Sequence, residues 1–258
     1  MSLLLLSGFM LLGAAVATSK PSFFSHEDWT TVLSRFVDER GRVNYEALAR
    51  DRAVFDRYLA ELEKISPKSN PALFPSRKHE LAYYINAYNA LVFKGVLARG
   101  PESKSVWRGL ISGYAFFVRM EIVVGGEKTN LKRFEDKVIR EGFTDPRIHA
   151  ALNCASVSCP RLPQKAFDAE HLDEELDAVM AEFLSSEKHS QLDPASQELH
   201  LSRIFDWYQE DFLDYERRHG NPEPALIDYV NRYRGENFRV PRDYRVRFLK
   251  YDKRINKQ

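Results

Sequence analysis

The chain has 258 residues, 44% hydrophobic and 29% charged, a composition that suits a folded protein with a sizeable core. Its 38 Lys and Arg nearly cancel its 37 Asp and Glu, so a general electrostatic preference for nucleic acid or anionic membrane is excluded. No nucleic-acid partner is expected.

In chain order, Leu3–Leu12 is a short apolar run and Ala15-Val16-Ala17 a small-x-small cleavage signal. Together they read as a signal peptide over residues 1–17, too short to span a bilayer comfortably, although no Lys or Arg precedes the run. The mature chain, 18–258, is expected to be exported (periplasmic or secreted) with no integral membrane segment after cleavage. In an oxidising compartment two thiols are more often a disulfide than a reactive pair.

Ser25 starts a helix signal with Trp29, Val32, Leu33 and Phe36 on one face. Asn44 caps a second helix, expected over Tyr45–Ile65, and prolines 67, 71 and 75 mark a loop. Arg77–Ala98, capped by Ser76 and stopped by Gly100-Pro101, reads LAYYINAYNALVF at its centre and is apolar nearly all round, as a buried helix is. Asn86 and Asn89 lie three apart within it; a buried amide needs partners, and a structural hydrogen-bond network is the first reading. Ala115–Val124 alternates like a half-buried strand, and Asn130 caps a helix expected through Glu141 with Gly142 as its stop.

Asp145–Pro163, DPRIHAALNCASVSCPRLP, holds both cysteines, Cys154 and Cys159, together with His149. Asp145-Pro146 could start a helix, but Arg147–Asn153 also has the length of a buried strand, and a strand followed by a loop Cys154–Pro163 is expected. Asp168 is expected to cap a helix through Leu184, Asp193-Pro194 to turn a hairpin, and Ser202 to start an aromatic-rich helix carrying Asp206 and Asp211. A helix over Pro222–Tyr233 and a closing strand with Val246 and Phe248 follow. The fold class is α+β: a single domain of several amphipathic helices packed on a small, mostly antiparallel sheet.

LAYYINAYNALVFKGVL, GGEKTNLKRFEDKVIR, DPRIHAALNCASVSCP and LSRIFDWYQEDF occur in the order seen in domain-of-unknown-function family 547 (DUF547), which the chain resembles over about Trp29–Asp252, with the core of the resemblance at about 77–213. Asp145, Arg147, His149, Cys154, Ser156, Cys159 and Pro160 match its central motif, and Asn86 and Asn89 match the upstream one. The chain departs at Ala150, where bulkier aromatics are common, a difference of packing. The resemblance implies no established activity. Some members are joined to glutaredoxin-like modules, which implies thiol chemistry, and others occur inside cells, where a structural disulfide is unusual.

Four readings of the central stretch stand: a Cys154–Cys159 disulfide, a nucleophilic cysteine assisted by His149, a redox pair, and a metal site completed by His171 or His200. On a strand, His149 and Cys154 would face opposite ways unless the strand breaks before the cysteine. The spacing matches none of the compact zinc signatures, so no metal and no cofactor is expected. Asp206 and Asp211, five apart on one helix, do not share a face and are poor partners for acid–base work. His200 alternates with Leu199 and Leu201 and is expected to face solvent.

The reading adopted is a cysteine-dependent hydrolase or acyl transferase acting on a peptide, amide or thioester bond of a small-molecule or peptide substrate. Cys154 would be the nucleophile, His149 the base and Asn86 the orienting group. Asn89, Arg147, Ser156 and Cys159 would bind substrate or support the loop. The alternatives are a non-enzymatic exported interaction or scaffold domain with a structural Cys154–Cys159 disulfide, and a thiol redox or metal-binding protein.

Overall fold

Residues 23–107 and 115–258 are described by the computed structural model, and the expected signal peptide lies outside them. The described chain opens with helices α1 (Glu27–Phe36), α2 (Tyr45–Arg50) and α3 (Ala53–Lys64). Trp29, Val32, Leu33 and Phe36 of α1 are buried, as their spacing predicts. The single helix expected over Tyr45–Ile65 is instead two: Asn44 caps α2, but Asp51 leaves helical geometry and its carboxylate meets Arg35 of α1.

The next helix, α4 (Arg77–Arg99), starts at Ser76, whose side chain accepts from the His79 N–H, and ends at Gly100 with φ +98°. Fifteen of its residues are buried, Asn86 and Asn89 among them, so α4 is the axis of the larger hydrophobic cluster. α5 (Ala115–Arg119) corrects half of the strand expected over Ala115–Val124. Phe116 and Phe117 are adjacent and both buried, which a helical turn allows and strict alternation does not. They lie close to α4 because residue 95 is Gly: a Cβ there would sit 2.5 Å from Met120 Sδ and 2.6 Å from the Phe116 ring.

Strands β1 (Glu121–Val124) and β2 (Glu127–Asn130) form an antiparallel hairpin. Asn130 then caps α6 (Leu131–Arg133), which runs through a π-helical segment, Phe134–Arg140, into α7 (Glu141–Phe143). The stop is Thr144 in left-handed geometry, φ +52°, not Gly142.

The strand expected over Arg147–Asn153 is absent, and in its place stands a short helix, α8 (Ile148–Ala151). The Asp145-Pro146 start prevails: the Asp145 carboxylate accepts from the Arg147 N–H, and the Ile148 N–H reaches the Asp145 carbonyl. α9 (Leu172–Ser185) begins four residues after Asp168, whose carboxylate caps no helix but accepts from the Glu170 N–H.

β3 (Ser190–Asp193) and β4 (Glu198–Leu201) make the expected hairpin, and β5 (Arg245–Phe248) adds to β4 in parallel. Between them lie α10 (Arg203–Trp207), α11 (Gln209–Arg218) and α12 (Leu226–Asn231). The aromatic-rich helix expected from Ser202 is thus broken at Tyr208, where φ −121° and ψ 27° leave helical geometry. The fold is α+β in a single domain, with its strands in two small sheets, antiparallel except for the β4–β5 pairing.

A second hydrophobic cluster gathers α9, β4 and α10 to α12 around Met180, Phe205 and Phe212. α8 is the seam. Ile148, Ala151 and Leu152 belong to the α4 cluster, and Ala150 belongs to the second. No helix among the described residues is long and apolar enough to cross a membrane.

Both asparagines of α4 satisfy backbone groups outside the helix. Asn86 donates to the Phe167 carbonyl (2.9 Å) and accepts from the Phe167 N–H (3.0 Å). Asn89 donates to the Ala151 carbonyl (3.0 Å) and accepts from the Asn153 N–H (2.8 Å). Replacing either by Leu strands a buried donor and a buried acceptor, so each variant is expected to lose about 1–3 kcal/mol. Urea unfolding checks it; unchanged midpoints for both would mean that these bonds contribute nothing.

Candidate functional site

Asn89 ends α8 and turns the chain into the loop that carries the thiols. Asn153 continues the work: its amide donates to the Pro160 carbonyl and its carbonyl accepts from the Ala155 N–H (both 2.9 Å). Ala155 takes φ +60°, the left-handed region that costs an L-residue about 1–2 kcal/mol. The C-terminal segment fixes this turn from outside. The Val157 N–H meets the Arg254 carbonyl, the Asn256 N–H meets the Ala155 carbonyl, and Ser156 bridges to Ile255.

The loop brings Cys154 and Cys159 together as free thiols with their sulfurs 2.7 Å apart. Cys159 Sγ also accepts from the N–H of Cys154 (3.1 Å) and of Ser156 (3.4 Å), and the Tyr251 hydroxyl stands 3.1 Å from Cys154 Sγ and 3.3 Å from Cys159 Sγ. These donors separate the two acidities. Burial alone would raise Cys159, but the Cys154 thiol, Tyr251 and the two backbone N–H groups favour its thiolate and bring it below the usual thiol range. Cys154 is pushed well above that range, first because its proton is held by Cys159 and then by burial. The first proton to leave the reduced pair is therefore that of Cys159, and Cys154 holds its own more tightly.

His149 lies in α8 with its side chain 2% exposed. Its Nε2 is 2.7 Å from Asp211 Oδ2, and its ring stacks on Tyr208 at 4.1 Å between centroids. Asp211 also accepts from Arg140 through Nε (2.8 Å) and Nη2 (2.9 Å). Burial would raise the Asp211 pKa, but hydrogen bonds from His149 and Arg140 hold it well below the carboxylate range. Arg140 also covers the Tyr208 ring at 4.7 Å. Tyr208 and Tyr88 both donate to Glu135, which the π-helical segment turns inward.

His149, Cys154 and Cys159 line one cavity of about 50 Å³, with Tyr88, Glu135, Trp207 and Tyr251 among its walls. That space admits water and no organic substrate. No hydrogen bond between the described residues joins His149 to either sulfur.

Several expectations change. Asn86, expected to orient His149, uses both ends of its amide on Phe167; Asp211 holds the imidazole instead. Asp211 is expected on one helix with Asp206, with neither suited to acid–base work, but Asp206 sits in α10 against Arg203, before the break at Tyr208. The readable signal was LSRIFDWYQEDF, which carries both Tyr208 and Asp211.

Arg147 anchors α8 by ion pairs to Asp145 (2.7 Å) and to Asp173 and Asp177 of α9 (2.9 and 3.1 Å). Ser156 accepts from the Trp107 indole N–H (2.7 Å). His171 pairs with Asp168 and His200 with Glu198, and among the described residues no cluster of three metal-ligating side chains occurs.

Residues 73–184 match the model of the family described as Protein of unknown function, DUF547. The match contains Asn86, Asn89, His149 and both cysteines and stops short of Asp211 and Tyr251. Comparison with curated proteins and with solved structures gives no match.

The shared proton makes the thiols answer to each other. Thiolate absorbance against pH is expected to show one ionisation below the ordinary thiol value of about 8.5 and a second well above it. In Cys154→Ala the remaining thiol loses a donor and its pKa rises. In Cys159→Ala the remaining thiol loses its negative neighbour and its pKa falls toward the ordinary value. Two equal ionisations in the unaltered protein would contradict this.

Proposed function

We propose that this chain, which carries the DUF547 segment across residues 73–184, is a cysteine-dependent hydrolase or acyl transferase acting on a peptide, amide or thioester bond. The observation that carries the reading is the buried imidazole of His149, held through Nε2 by Asp211 in the cavity that Cys154 also lines. With Nε2 engaged, Nδ1 is the nitrogen left for proton transfer.

Cys154 is assigned as the nucleophile because it is the less buried of the two cysteines and lines the cavity that His149 lines, and its raised pKa makes removal of its proton by a base necessary. Its proton passes to His149 Nδ1 as sulfur attacks the carbonyl carbon, and the new S–C bond gives a tetrahedral oxyanion. Collapse breaks the bond to the amine or thiol leaving group, which takes the proton from the imidazolium. Water or an acceptor nucleophile then attacks the thioester and gives its proton to His149; collapse breaks the S–C bond, and the imidazolium returns the proton to the departing Cys154 sulfur. Tyr251 stands beside the sulfur as a hydroxyl donor for the oxyanion. Substrate entry requires the cavity to widen, and the wall formed by Trp207 and Tyr251, whose rings lie 4.7 Å apart, borders both sulfurs.

The separation of the sulfurs, 2.7 Å, favours a second reading: a scaffold domain in which Cys154 and Cys159 are oxidised to a disulfide. Reduced protein and an activated acetyl ester separate the two. The enzyme is expected to release a burst of alcohol and to carry one acetyl group on Cys154. Cys154→Ala abolishes the burst, and Asp211→Asn lowers kcat/KM by about 10²–10⁴-fold. No acetyl adduct, or rates indifferent to His149→Ala and Asp211→Asn, would rule the hydrolase out. Native protein lighter by two hydrogens that resists mild reductant would favour the scaffold.

Export is the second part of the proposal and rests on Leu3–Leu12 and Ala15-Val16-Ala17. The mature protein is expected to begin near Thr18 and to be recovered outside the cytoplasm. N-terminal sequencing that finds intact Met1 on cytoplasmic protein would overturn it.

A further inference from the structure

The thiol loop has two sides. Cys159 faces the small cavity shared with His149, and it also lines a separate cavity of about 410 Å³ with Ser156, Val157 and Pro160. That volume is in the range of small-molecule sites. Its other walls come from the turn at 40–42, from α9 and the residues after it, and from the C-terminal segment. Gly41 makes the first wall possible: it has φ +73°, and a Cβ would lie 2.6 Å from the Leu162 backbone nitrogen.

The charges around this cavity are one-sided. Arg40, Arg42, Arg161, Lys188 and Lys257 line it, against one carboxylate, Glu182, and the sulfur of Cys159, the more acidic thiol of the pair. Arg161 is bound to Glu182 by two hydrogen bonds and Arg42 to Asp38. Arg40, Lys188 and Lys257 make no ion pair with a carboxylate among the described residues. Asp252, whose charge reaches Lys188, makes its ion pair with Arg254.

The floor is polar and buried. His189 is 4% exposed, packs against Phe183 in a tilted contact at 4.3 Å between centroids, and its Nδ1 has no hydrogen-bond partner among the described residues. An orphaned buried imidazole nitrogen costs free energy that a bound donor or acceptor would recover. Burial, reinforced by the neighbouring Lys188 charge, pushes the His189 pKa down to about 3, so the ring is neutral at physiological pH. Val179, Phe183 and Pro160 add an apolar wall.

We propose that this cavity binds a phosphomonoester of a small organic molecule. Arg40, Lys188 and Lys257 neutralise the phosphate, His189 lies at the floor, and the organic part rests on Val179, Phe183 and Pro160. Two of the three unpaired cations are ammonium groups, point charges that suit a phosphate and give no planar fork for a carboxylate. A bare ion would leave most of 410 Å³ unfilled, which favours an ester. The site stands whether or not the thiols on its far wall are catalytic.

The test is calorimetry on the full reduced protein at low salt, with phenyl phosphate, inorganic phosphate and succinate as probes. Phenyl phosphate is expected to bind saturably and tighter than inorganic phosphate, and both tighter than succinate. Lys188→Ala with Lys257→Ala is expected to weaken it about tenfold or more. A control removing two exposed cations elsewhere, Lys64→Ala with Arg133→Ala, should leave it within about twofold. Inorganic phosphate binding tighter than the ester would overturn the assignment of an ester, and succinate binding as tightly would overturn that of a phosphate. No saturable binding, or binding indifferent to the Lys188 and Lys257 changes, would remove the site.

Discussion

Asn89 joins the hydrophobic core to the thiol loop. One side chain on the most buried helix accepts from one backbone group and donates to another, at either end of the step from α8 into the loop. Those groups, the Ala151 carbonyl and the Asn153 N–H, are where α8 stops and the cysteines begin. Left unpaired in an apolar surrounding they would each carry a desolvation penalty, so the loop's departure point is tied to the register of α4. Asn86 does the same for Phe167, three residues earlier on the same helix. What lies downstream inherits its placement: Asn153 crosses to Pro160, and the turn at Ala155 is held although its φ is unfavourable.

The core that surrounds α4 does not extend to the rest of the chain. The second cluster is built on Phe205, Phe212 and Met180, and α8 is the element whose consecutive residues serve both. His149 sits between Ile148, in one cluster, and Ala150, in the other. A bulkier residue at 150 would have to find room against the second cluster, where the Ala150 side chain is 1% exposed. Arg147 secures the same seam electrostatically, since its guanidinium bridges from Asp145 to α9. The imidazole is thus placed by packing on both sides before Asp211 orients it.

Much of this was legible in the sequence. The apolar α4 with its two amides, the amphipathic faces of α1 and α9, the β3–β4 hairpin and the closing strand follow from spacing alone. The misses share a cause. Arg147–Asn153 has apolar residues on every side because α8 lies between two cores, so its periodicity reports burial and not helix or strand. In sequence Asp211 stands beside Asp206, whereas its partners, Arg140 and His149, are 71 and 62 residues away. The break at Tyr208 has no Gly or Pro to mark it. Tyr251 near the sulfurs is legible from nothing local, since only the backbone pairing of the C-terminal segment with the thiol loop brings it there.

The way Asp211 is shared bears on what it does for His149. Asp211 receives two hydrogen bonds from Arg140 besides its bond to His149. The carboxylate thereby fixes the ring's rotation through Nε2 and leaves Nδ1 as the nitrogen that can take a proton. The stack on Tyr208 restrains the same ring from its face, and the Arg140 guanidinium also packs against that tyrosine. Arg140, Tyr208, His149 and Asp211 therefore form one mutually contacting unit. Releasing Arg140 would alter both the charge on the carboxylate and the plane against which the imidazole is held.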